Sequence, residues 1–397
     1  MSPVMNDANE VAGVILSGGS AYAAYEVGVM KALFQGETPL GAGASVQARV
    51  FTGASAGSVN ATWMVSQARR GLADAAKNLQ SLWLDEISNR MAGDGAVRFR
   101  GNLFEFMNPA SFAPNPAAPF LHLAQDISFF LRDWSSRTRN FADEQESLSR
   151  RLIELIDIGS IVSLDPLRGI LHRDFSFAAI RESALKLSVA ATNWANGDLK
   201  LFTNPEMSDA GGVDILMAST AFPGLPPVYI DGLPFVDGGY VMNSPLVPAI
   251  DAGATTIHFI YLDPDTAAIP VRRLMNTVDV IDRMFIMLRA AIVNRDIDQA
   301  ASINSGIALI EQVNGARPAL PDLKNFIRAA SKIKSKLDEG IPYRKITIHR
   351  YHPTDDLGGV VGLLNFERDQ IAHLIDRGYH DAMSHNCVES HCVLPGG

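Results

Sequence analysis

The residues Gly53-Ala54-Ser55-Ala56-Gly57 read as G-x-S-x-G, and every position from Gly53 to Ser58 is Gly, Ala or Ser. A serine nucleophile on a tight strand-to-helix turn sits in a strained backbone conformation and needs small neighbours. The turn also puts Ser55 at a helix N-terminus, where the dipole and the unpaired N–H groups favour negative charge. The plainer alternative is an ordinary turn with a capping serine. A second stretch, Ser17-Gly18-Gly19-Ser20, has consecutive glycines that let backbone N–H groups converge into an anion-binding nest. Such a nest suits the oxyanion of a tetrahedral intermediate, a phosphate, or nothing more than a tight turn. The phosphate reading is the weaker, because the chain has no G-x-x-x-x-G-K-[ST] and no Gly-Lys pair. In the third stretch, Phe235-Val236-Asp237-Gly238-Gly239-Tyr240, a strand delivers Asp237 into a turn where two glycines clear space around the carboxylate. A base that must touch a serine hydroxyl needs that clearance.

Other groups carry less. A G-x-S-x-G serine commonly works with a downstream histidine, and His258, inside the apolar run 256–262, is the obvious candidate, although a lone strand histidine is more often structural. His172-Arg173-Asp174 echoes a kinase catalytic loop but has Ala179 where that motif needs Asn. His373, Asp376 and His380 fall at helical spacing and read as a solvated face. His385, Cys387, His391 and Cys392 are metal-ligating types, yet their spacing is no recognised zinc pattern, and the tail after His385 is expected to fray. No metal site is therefore assigned. Phe99, Phe104, Phe106, Phe112, Phe120, Phe129 and Phe130 fit either a cap that binds acyl chains or the core of a helical subdomain.

These side chains need a scaffold. Residues 11–16 form an apolar run suited to a buried strand. A helical pattern follows, with Val27, Met30 and Phe34 on one face. The order repeats with a strand over 49–52, the turn around Ser55 and a helix over 58–70 ending at Gly71. Strand, Gly-rich turn and helix, twice over, predict an α/β fold with a mainly parallel central sheet flanked by helices. Residues 89–165 read as an insertion, irregular over 91–119 and helical over 120–134 and 144–158. Strands are expected at 186–191 and 199–202 across Asn196-Gly197, and at 228–230 and 234–236 across Asp231-Gly232. One more is expected at 256–262. Helix dominates 271–337, with a late strand at 345–349 and a last helix at 368–384. The expected division is a catalytic α/β domain over 1–265 and a mostly helical region over 266–397 that packs on it.

Composition sets outer bounds. An apolar share of 47% against a charged share of 19% fills a large core and excludes a disordered chain. A net charge of −9 without any basic run argues against nucleic acid. Two cysteines, both near the C-terminal end of the sequence, exclude a disulfide scaffold and fit a reducing compartment. No run of 18 apolar residues occurs, so any membrane contact is expected to be peripheral. The first ten residues hold no Lys or Arg and no apolar segment, which makes a cytoplasmic placement the default expectation.

Taken together, the motifs resemble the patatin-like phospholipases. The resemblance rests on Gly18-Gly19-Ser20-Ala21-Tyr22-Ala23 against G-G-G-x-[RK]-G, on G-x-S-x-G at Ser55, and on the stretch from Ala218-Ser219 to Pro226-Pro227-Val228. Asp237-Gly238-Gly239 followed by Asn243-Ser244-Pro245 completes it. It covers the chain up to about residue 262. It implies a lipid acyl hydrolase with a Ser55–Asp237 dyad, no metal or organic cofactor, and a phospholipid or other acyl lipid as substrate. It also implies an oxyanion hole made by the Gly18, Gly19 and Ser20 amides. Two departures stand out. Ser20 replaces the third glycine, and Tyr22 and Ala23 replace the basic residue and the last glycine.

Overall fold

The computed structural model describes residues 10–41, 43–89, 95–100, 117–141, 162–222, 225–263, 277–313 and 345–395. The helix expected over 144–158 lies outside them, as do Phe104, Phe106 and Phe112.

In chain order the first unit is β1 (Ala12–Leu16) and α1 (Ala24–Gln35), the second β2 (Ala48–Ala54) and α2 (Ser55–Ser66), followed by α3 (Leu72–Leu82). Helix α2 begins at Ser55 itself, earlier than expected, because the turn is so tight that the residue after β2 is already the first of the helix. The insertion contributes β3 (Arg98–Phe99), α4 (Ala118–Phe141) and β4 (Val162–Ser163). Strands β3 and β4 pair antiparallel, and a buried two-pronged ion pair, Arg98 to Asp126 at 2.6 and 3.0 Å, fastens α4 beside them. Then come α5 (Asp165–Asp174), α6 (Phe177–Arg181), the β5 (Lys186–Asn193) and β6 (Leu199–Thr203) hairpin, and α7 (Gly211–Ser219). The second hairpin, β7 (Val228–Ile230) and β8 (Leu233–Asp237), precedes α8 (Leu246–Asp251) and β9 (Thr256–Ile260). The remainder is α9 (Thr277–Val313), β10 (Thr347–Tyr351), α10 (Gly359–Leu363) and α11 (Arg368–Met383).

The sheet runs β10-β9-β1-β2-β5-β8-β7, with β6 also on β5. Pairings from β10 through β5 are parallel, and those of β6, β7 and β8 are antiparallel. Parallel strands must bury both faces, and β1 shows how. Val14 and Leu16 enter a core with α1, α2, α3, α7 and α11, while Ile15 between them packs with residues of α8 and α9 on the opposite face. Strand β9 alternates in the same way, with Ile260 on the first face and Ile257 and Phe259 on the second.

The C-terminal region is woven into this body. Strand β10 extends the sheet at β9, shifted two residues from the expected 345–349 because Thr347 pairs with Thr256. Helix α11 lies so close to α1 that a Cβ on Gly28 would overlap the backbone at Ile375, and one on Gly378 the backbone at Tyr25. The tail expected to fray is instead held in place: Ile348 and Val393 exchange backbone hydrogen bonds of 2.8 and 2.9 Å. Phe120 and Phe130 of α4 are exposed, so neither lies in a helical core. Among the described residues, no helix is long and apolar enough to cross a membrane.

Candidate active site

The sheet itself brings Ser55 and Asp237 together. Strand β5 pairs with β2 over residues 186–190 and with β8 over 191–193, while β6 takes the other edge over 188–192. Strands β2 and β8 therefore share one edge of β5 and meet head-on. Ala54 ends β2 opposite Ala190, and Asp237 ends β8 opposite Ala191. The residue after Ala54 is the serine, so two chain ends far apart in sequence deliver a hydroxyl and a carboxyl to one place.

Ser55 is buried and has φ +52°, a left-handed conformation that costs a non-glycine residue about 1–2 kcal/mol. Its neighbours hold it there. The Ser55 N–H donates to Ser219 Oγ at 3.1 Å, and Ser219 Oγ donates to the Ala190 carbonyl at 2.7 Å. Ser58 Oγ donates to the Ser55 carbonyl at 2.6 Å. A Cβ on Gly57 would strike the carbonyls of Leu16 and Ser17, so the small residues of the motif let α2 start against the end of β1.

Asp237 is equally fixed. Its Oδ1 accepts the Gly239 N–H at 2.7 Å, its N–H donates to the Ala221 carbonyl at 3.0 Å, and its carbonyl accepts Thr192 Oγ1 at 2.9 Å. Burial raises its pKa from 3.8 to about 6, opposed by the Ser55 hydroxyl, the Gly239 amide and the positive charge of Arg289. The Ser55 side chain is thus near enough to the carboxylate to favour its charged form. Tyr240 lies close enough that the carboxylate, after burial, helps to raise the phenol's pKa.

The first glycine-rich loop lies against the serine, since a Cβ on Gly18 would come within 2.8 Å of Ser55 Cβ. The Gly18 N–H is committed to the Asn243 carbonyl at 3.1 Å, while Asn243 Nδ2 donates to the Gly18 carbonyl at 3.2 Å. Of the three amides expected to face an oxyanion, that of Gly18 therefore already has a backbone partner. Ser20 takes φ +51°, the region in which the glycine of the resembled pattern has no penalty. Tyr22 points away to a structural task, its hydroxyl donating to the Gly359 carbonyl at 2.6 Å and tying the loop to α10.

His258 is not brought to Ser55. It is buried on β9, stacked on His349 with ring centres 5.5 Å apart, its Nδ1 3.4 Å from the Tyr351 hydroxyl. Burial, then the His349 and His385 rings, push its pKa down to about 3. His172 and Arg173 end α5, where Arg173 pairs with Glu86 and Asp174.

Motif reading gave no role to Ser219, Asn243, Asp263 or Arg289. The first two fall inside quoted motifs, and that was their signal. Arg289 had none: α9 carries it to the buried Asp263, at 2.7 Å, and within electrostatic reach of Asp237.

Among solved structures, VipD from Legionella pneumophila aligns over 97% of this chain and 67% of its own, at 16% identity and a TM-score of 0.38. No curated protein matches. The family described as patatin-like phospholipase matches residues 14–250, which is more than half of the sequence and spans Gly18, Ser55 and Asp237. The chain belongs to the patatin-like phospholipase family.

Proposed function

We propose that the chain is a serine lipid acyl hydrolase in which Ser55 and Asp237 work as a dyad. Membership in the family supports lipid hydrolysis as the class of activity. The observation that carries the finer reading is the head-on meeting of β2 and β8 on β5, with the Ser55 hydroxyl acting on the Asp237 carboxylate. Ser55 Oγ attacks the ester carbonyl and passes its proton to Asp237. The negative oxygen is held by the Gly19 and Ser20 N–H groups. Collapse expels the alcohol, which leaves with the proton from Asp237. Water, deprotonated by the same carboxylate, then releases the fatty acid from acyl-Ser55. A base with pKa near 6 suits both directions of proton transfer close to neutral pH. The substrate is a phospholipid or another acyl lipid, reached by peripheral membrane contact, and the reaction needs no metal or organic cofactor.

The test combines labelling by a fluorophosphonate probe with turnover of an acyl ester. Wild type labels at Ser55, and both Ser55→Ala and Asp237→Asn lose turnover by at least about 10³-fold. Full turnover in Ser55→Ala discards the mechanism. Saturable lipid binding without labelling would instead identify a non-catalytic lipid-binding protein on the same fold.

A further inference from the structure

The segment that follows α11 brings four metal-ligating side chains to one point on the edge of the sheet. His349 comes from β10, and His385, Cys387 and Cys392 come from the turn after the helix. Their ligand atoms all lie within 4.8 Å of one another. We propose that these four residues form a structural zinc site, closed by two thiolates and two imidazoles.

Three of the ligand-to-ligand distances are those of a tetrahedron. With Zn–S of about 2.3 Å and Zn–N of about 2.0–2.1 Å, a tetrahedral ion separates a sulfur and a nitrogen ligand by about 3.6 Å. Cys387 Sγ lies 3.5 Å from His349 Nδ1 and 3.6 Å from His385 Nε2, and Cys392 Sγ lies 3.4 Å from His385 Nε2. Three sulfur–nitrogen edges thus match the size of the ion. An S₂N₂ tetrahedron selects zinc over the oxygen-seeking cations.

The surroundings fit as well. His385 offers Nε2 to the site while its Nδ1 lies 3.5 Å from Ser390 Oγ, a partner that would hold the proton away from the ligating nitrogen. The Arg350 N–H points at Cys392 Sγ at 3.4 Å, a donor suited to a thiolate. Both thiols lose a proton on binding, so two protons are released and the charge of the dication is neutralised. With four protein ligands the site has no place left for water, which makes it structural and not catalytic.

Its task follows from position. Strand β10 is the last of the sheet on that side, and an open edge invites pairing with other chains. The Cys392-Val393 segment covers it through the Ile348–Val393 bridge. A metal clip between His349 on the strand and Cys387 and Cys392 on the segment would hold that cover in place. The residues of ligating type clustered near the end of the sequence include His391 and not His349. The fold turns His391 outward, where its carbonyl accepts from Arg350 Nη1 at 3.3 Å, and supplies the histidine from another strand.

The test uses the full chain, purified under reducing conditions without chelator. Elemental analysis is expected to find about one zinc ion per chain in wild type and in His391→Gln, and less than about a tenth of that in His349→Gln and Cys392→Ser. Co²⁺ added to metal-stripped wild type is expected to give the visible bands of a tetrahedral ion with thiolate charge transfer. This second readout does not depend on whether a variant folds. Wild type that takes up neither Zn²⁺ nor Co²⁺ overturns the proposal. So does loss of metal in His391→Gln with retention in His349→Gln, or a Cys387–Cys392 disulfide in chain purified without oxidant.

Discussion

Asp237 is where function and stability are expected to pull in opposite directions. The residue is 5% exposed, and its carboxyl pKa is raised from 3.8 to about 6 with burial as the leading cause. A folded-state pKa above the unfolded value means that the native state favours the protonated acid, so stability falls as pH rises between the two values. The gap, at about 1.4 kcal/mol per unit, is worth about 3 kcal/mol. At pH 8 the ionised carboxylate costs the fold nearly all of that, and at pH 4 only about 0.5 kcal/mol. Asp237→Asn keeps the shape and the Gly239 N–H partner but cannot ionise. Urea unfolding at the two pH values is therefore expected to show the variant gaining about 2–3 kcal/mol over wild type between pH 4 and pH 8. Turnover moves the other way. Wild-type kcat/KM is expected to rise about tenfold per pH unit below 6 and to level off above it, because the base must be unprotonated. A stability difference that does not change with pH would refute the reasoning, and so would a variant that loses ground at pH 8.

Ser20→Gly relieves about 1–2 kcal/mol of left-handed strain at φ +51° and loses about 0.4–1 kcal/mol through a looser unfolded chain. A net gain of between zero and about 1.5 kcal/mol in chemical denaturation is expected, and a clear loss would contradict the loop conformation. Glu26 is buried on α1 and accepts from Asn60 Nδ2 at 2.9 Å, and burial raises its pKa well above 4.5. Its contribution is complete below the ordinary carboxyl range and declines as pH rises, so Glu26→Gln is expected to equal wild type near pH 4 and exceed it at pH 8 in thermal melts. Removing the Arg289 charge together with its partner, as Arg289→Met with Asp263→Asn, is expected to move the acid limb of kcat/KM to higher pH. A limb that stays in place would show that Arg289 does not act on Asp237.

How much was legible depended on how local the cause was. The motif around Ser55 announces its turn because only small residues let a helix start against a strand end, and that crowding is written in five consecutive positions. The apolar run of β1 and the Asn-Gly and Asp-Gly hairpins were readable for the same reason. Asp237 was legible as a carboxylate in a cleared turn, but its meeting with Ser55 depends on β2 and β8 sharing one edge of β5, and no local pattern encodes a shared edge. The partner of the Gly18 amide, the Asn243 carbonyl, comes from a distant turn and was not readable locally. His258 lost its role as candidate base when β10 placed His349 and Tyr351 beside it. Arg289 reaches the site only because α9 packs on the far face of the sheet. The sequence alone thus determined the strained turn, the sheet class and which side chains were candidates for the chemistry, since each follows from sterics and periodicity within a few residues. Only the tertiary structure decided which side chains meet, which amides stay open and how far the buried carboxyl is pushed, because pairing, burial and long-range charge are properties of segments brought together from the whole chain.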